Sequence, residues 1–92
     1  MPRFLIERNL PAGLSQDDVD DACRRAIAVN AQMSDVRWLH SQLAIDKSKF
    51  FCEYEASDPE TVREAARRAE IPCDVVTEVV EVAPEQFTGS RL

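Results

Sequence analysis

The chain carries one imidazole, three thiols and many carboxylates, so metal or acid–base chemistry is confined to few positions. His40 is the only His, and neutral imidazole suits late first-row divalent ions. Glu7 and Glu53 are the carboxylates whose expected strand positions match it. One imidazole and two carboxylates make a partial coordination set, which a two-fold axis could double. The same trio could serve as acid and base. It could also do neither, with His40 satisfied by hydrogen bonds at an interface and Glu7 and Glu53 paired to Arg3, Arg8 or Arg37. Cys23, Cys52 and Cys73 are widely spaced and form no C-x-x-C, which argues against a zinc knuckle or a thioredoxin-type dithiol. Buried, reduced thiols fit a cytoplasmic protein.

These residues need strands to position them. Arg3 to Leu10 alternates as a strand, with Phe4 and Ile6 on one face and Leu5 and Glu7 on the other, and Pro11-Ala12-Gly13 stops it. Apolar residues on both faces predict a central position. Ser15 is the expected cap of a helix running to about Asn30, with Asp17 and Asp18 in its first turn and Val19, Cys23, Ala26, Ile27 and Asn30 along its apolar stripe. A second strand spans Asp35 to Asp46, then a polar turn, then a third strand from Phe50 to Ala56. This hairpin holds the only Trp, His and Tyr of the chain. Strict alternation puts Trp38, His40 and Gln42 on one face, and Phe50, Cys52 and Tyr54 toward the core. Asp58-Pro59 starts a second helix that runs to about Ala69. Val75 to Val82, dense in β-branched residues, is the fourth strand.

The order βαββαβ predicts an α+β, ferredoxin-like sandwich: an antiparallel sheet in the order 4-1-3-2 with two helices on one face. Residues 1–84 form the expected single domain, and residues 85–92 a polar tail without clear pattern. The uncovered face is expected to carry Leu5, Glu7, Trp38, His40, Phe51 and Glu53. Such a face is too apolar to stay bare and too polar for a plain core, so a homodimer packed sheet against sheet is the expected solution.

A net charge of −6 disfavours binding to phosphate backbones, and the third strand lacks the basic aromatic pattern of an RNA-binding sheet, so no nucleic-acid partner is expected. No run has the apolar core of a signal peptide or the length of a membrane span, so no membrane association is expected either.

Several segments together resemble a known family: Met1-Pro2-Arg3-Phe4-Leu5-Ile6-Glu7-Arg8, Val36-Arg37-Trp38-Leu39-His40-Ser41, Asp46-Lys47-Ser48-Lys49 and Phe51-Cys52-Glu53-Tyr54-Glu55-Ala56. The run Asp58 to Ala69 and the segment from Ile71-Pro72 through Val79 complete the match, over about residues 1–83. The chain is similar to small bacterial nickel-binding, or nickel-responsive, proteins, a family of mostly uncharacterised domains. The resemblance implies a ferredoxin-like sandwich, a homodimer and Ni2+ or another divalent transition metal held near the dimer interface. His40, Glu7 and Glu53 are the residues expected to hold it. The alternatives are a small dimeric enzyme of the monooxygenase or isomerase class, with a pocket over the open sheet face, and an interaction module without a small ligand.

Overall fold

Alternation along β1(Arg3–Asn9) is visible in its burial: Phe4, Ile6 and Arg8 are buried, while Arg3, Leu5 and Glu7 are half-buried. The computed structural model describes residues 1–88. After β1 come α1(Gln16–Ala31), β2(Val36–Leu43), β3(Lys49–Ala56), α2(Pro59–Ala69), β4(Val75–Val79) and a single helical turn, α3(Glu85–Thr88). The four strands form one sheet in the order β2-β3-β1-β4, with every pairing antiparallel. This is the predicted ferredoxin-like topology counted from the opposite edge, with β1 in the interior.

Both long helices start where the sequence predicts. The Ser15 side chain accepts from Asp18 N at 3.1 Å, and Asp18 Oδ2 accepts from Ser15 N at 2.9 Å, a reciprocal box with Asp in the position usual for Glu. Asp58 caps α2 by accepting from Thr61 N at 2.8 Å, and Pro59 follows in the first turn. The far end of α2 closes with Glu70 at φ 57 and with Ile71 N donating to Ala66 O, a left-handed terminus that usually selects glycine.

The core lies between the helices and one sheet face, built on Phe4, Ile6, Val36, Cys52, Tyr54, Ala56, Val62 and Ala65. Ala65, Ala66 and Ala69 let α2 approach closely, and burying a side chain such as Phe4, Ile6 or Val62 stabilises by roughly 1.5–3 kcal/mol each. Two expectations are corrected here. Ile27 is exposed, because the buried stripe of α1 runs through Val19 and Ala26, with Val29 packed beside it. β4 ends at Val79 rather than Val82, because Val79 already faces Arg3, the first residue of β1, and nothing remains for Val80 to pair with.

The main departure from simple alternation is in β2. Trp38 faces Tyr54, but His40 faces Glu53, so Leu39 is an extra residue in a β-bulge. The bulge reverses the face between Trp38 and His40. Trp38 turns to the helix side, stacks on Tyr54 with ring centroids 6.4 Å apart, and donates from Nε1 to Ser41 Oγ at 2.7 Å. The expectation that Trp38 shares the open face with His40 is therefore overturned: the largest apolar side chain of the strand takes the covered side.

Candidate functional site

The open face collects the alternate residues of all four strands. In the central pairing, Leu5 lies opposite Glu53 and Glu7 opposite Phe51; across the other edge of β3, His40 lies opposite Glu53. Glu53 is the hub. Its Oε1 is 3.7 Å from His40 Nε2, and its Oε2 accepts from Arg3 Nη1 at 3.0 Å. Arg3 also approaches Glu81 Oε1 at 3.8 Å, and Arg37 Nη1 lies 3.6 Å from Glu55 Oε1. His40 is largely exposed, with 63% of its side chain accessible, whereas Glu53 retains only 19%.

The three residues expected to hold a metal thus stand unequally. His40 and Glu53 are direct cross-strand neighbours. Glu7 shares their face but lies diagonally from Glu53, a step of roughly 7–8 Å in an antiparallel ladder. Among the described residues, no group of three or more His, Cys, Asp or Glu side chains is gathered tightly enough to hold a metal ion. Of the three, only His40 and Glu53 are brought side by side, with a guanidinium on the far oxygen of that carboxylate. Of the ion pairs expected for Glu7 and Glu53, only Arg3 with Glu53 forms among the described residues.

Arg8 takes no part in this face. It is only 2% exposed and points with Phe4 and Ile6 toward the helices, where Nε donates to Cys52 Sγ at 3.4 Å and Nη1 to Pro72 O at 2.6 Å. The alternation of β1 already carried that signal, since Arg8 continues the parity of Phe4 and Ile6. The thiols cluster on the same covered side. Burial pushes the Cys23 thiol up, helped by the nearby Cys52, and burial likewise pushes Cys73 up. Tyr54 is raised, chiefly by burial. A raised thiol is a poorer nucleophile, and Cys52 and Cys73 pack in and against the core.

An antiparallel sheet with two helices on one face and a His–Glu pair on the other makes this an α+β protein of the ferredoxin-like fold. The chain belongs to the SCO4226-like family of nickel-responsive proteins, whose model matches residues 4–79. The crystal structure of SCO4226 from Streptomyces coelicolor A3(2) matches it with a TM-score of 0.76 at 21% sequence identity, covering 88% of this chain and 99% of that one. At that identity the likeness is one of fold. No curated protein matches the sequence. Among the described residues, no helix is long and apolar enough to cross a membrane.

Proposed function

We propose that this protein is a homodimer that binds a divalent metal ion, nickel foremost, at its open sheet face through His40 and Glu53, with Glu7 as a further donor. The observation that carries the proposal is the exposed His40 Nε2 set 3.7 Å from Glu53 Oε1, while Arg3 anchors the other carboxylate oxygen. The family's nickel responsiveness supports the choice of ion, as does the imidazole-plus-carboxylate donor chemistry. The described residues of a single chain offer too few converging donors for a closed site. Two chains related by a two-fold axis and packed sheet against sheet would bring two half-sites together. The half-buried Leu5 and Phe51 on the same face favour such a partner, because apolar side chains there lose contact with water when the sheets meet. The role is binding rather than catalysis, in the cytoplasm, where the three thiols stay reduced.

Calorimetric titration of Ni2+ into metal-stripped protein, with sedimentation velocity in parallel, tests both parts. Saturable binding is expected, weakened at least tenfold in His40→Ala and in Glu53→Gln, and less in Glu7→Gln. Unchanged affinity in both of the first two variants would sink the site. A monomer at all concentrations, with and without Ni2+, would sink the dimer.

A further inference from the structure

We propose a second site, independent of the metal reading: the cavity between the sheet and α1 binds a small organic acid, with its carboxylate on Arg8 and its apolar body among the aromatic and small side chains. The cavity is about 490 Å³, within the usual range for small-molecule sites, and its apolar walls include Trp38, Phe50, Val19 and Ala22. Arg8 lines it and is 2% exposed.

A guanidinium so deeply placed ordinarily has a carboxylate against it, because an uncompensated buried charge is strongly unfavourable. Arg8 has none among the described residues: it enters no ion pair there, and its hydrogen-bond acceptors include Cys52 Sγ and Pro72 O. The Arg8 guanidinium also lies beside the Tyr54 hydroxyl, and both residues line the cavity. The Tyr54 hydroxyl adds a second donor: it accepts from Asn30 Nδ2 at 3.4 Å, which leaves its own O–H to give. A carboxylate would supply the missing counter-charge and take both donors, in a setting where charge-assisted hydrogen bonds are strong.

Acidic residues also border the cavity, and two are already engaged. Asp18 accepts from Ser15 N at the start of α1, and Asp21 accepts from Arg24 Nη1 at 2.9 Å; Glu70 borders it as well, together with the basic Arg25. These are exposed and screened by water, whereas Arg8 is not, so the interior cation sets the preferred charge of the ligand.

Trp38 is the only tryptophan and lies in the cavity wall, so its fluorescence reports occupancy directly. Octanoate, 1-octanol and octylammonium share a chain and differ in head group. The expected result is a saturable change in Trp38 emission, with octanoate at least tenfold tighter than either of the others. Arg8→Met should erase that preference, and Ala22→Leu, which fills the cavity while keeping Arg8, should weaken octanoate at least tenfold. His40→Ala should leave octanoate binding unchanged, which separates this site from the metal site. Octylammonium binding as tightly as octanoate, no saturable change with any probe, or full octanoate affinity in folded Ala22→Leu protein would overturn the proposal.

Discussion

The two faces of the sheet are made from the same strands, yet they treat charge in opposite ways. On the open face, Glu53 is shared between Arg3 and His40, and Arg37 approaches Glu55, all within reach of water. On the covered face, one guanidinium is buried against a thiol and a carbonyl, with no carboxylate paired to it among the described residues. Exposed pairs of the first kind contribute little to stability, which leaves their side chains available for an exchange of partners. A buried cation of the second kind is unfavourable unless something compensates it. The contrast separates the surface proposed to trade an ion pair for a metal from the interior proposed to receive an anion.

Several experiments break or sharpen this contrast. The largest effect is expected from Phe4→Ala, which should cost about 3–5 kcal/mol in urea unfolding, because Phe4 is fully buried under the helices. Its open-face counterpart, Phe51→Ala, should cost far less in dilute protein and act instead on dissociation of the proposed dimer. Deleting Leu39 removes the extra residue of β2, so Trp38 and His40 could no longer occupy opposite faces. A loss of about 2–3 kcal/mol is expected if Trp38 is expelled, with a red shift of its emission to show the direction of the slip. Ser41→Ala leaves Trp38 Nε1 without its acceptor and should cost about 1 kcal/mol by thermal denaturation.

Acid should loosen the covered side through its helix caps. Hydrogen bonds from Thr61 hold Asp58 below the usual carboxylate value, and those from Ser15 do the same for Asp18. Because the folded value is the lower one, their contribution is complete above the unfolded carboxylate pKa near 3.8 and disappears as pH falls through the depressed values. Asp58→Asn should therefore flatten the acid limb of a stability–pH curve. The smallest effect belongs to the open face. Arg3→Gln frees Glu53 Oε2 and removes a cation beside the proposed metal position, so Ni2+ should bind a few-fold more tightly while stability changes by less than about 1 kcal/mol.

Much of this arrangement is written in local pattern. The capping residues Ser15 and Asp58, the parity of Phe4 and Ile6, and the parity of Cys52 and Tyr54 each follow from nearest-neighbour geometry, and together they specify the βαββαβ order and the strand neighbours. The open-face positions of Glu7, His40 and Glu53 are legible for the same reason. The end of β4 is not, because a strand stops where its partner stops, and Arg3 is distant in sequence from Val79.

What the sequence determined by itself was the fold and the side of the sheet on which His40 lies. Only the tertiary structure decided that Trp38 lies on the other side. A bulge is the outcome of a competition between alternation along β2 and the burial of an indole against Tyr54, and its result depends on what the helices leave uncovered. The same holds for Arg8. Its parity was legible, but the lack of an opposing carboxylate and the cavity beside it arise from segments far apart in the chain, which come together only when the helices close over the sheet.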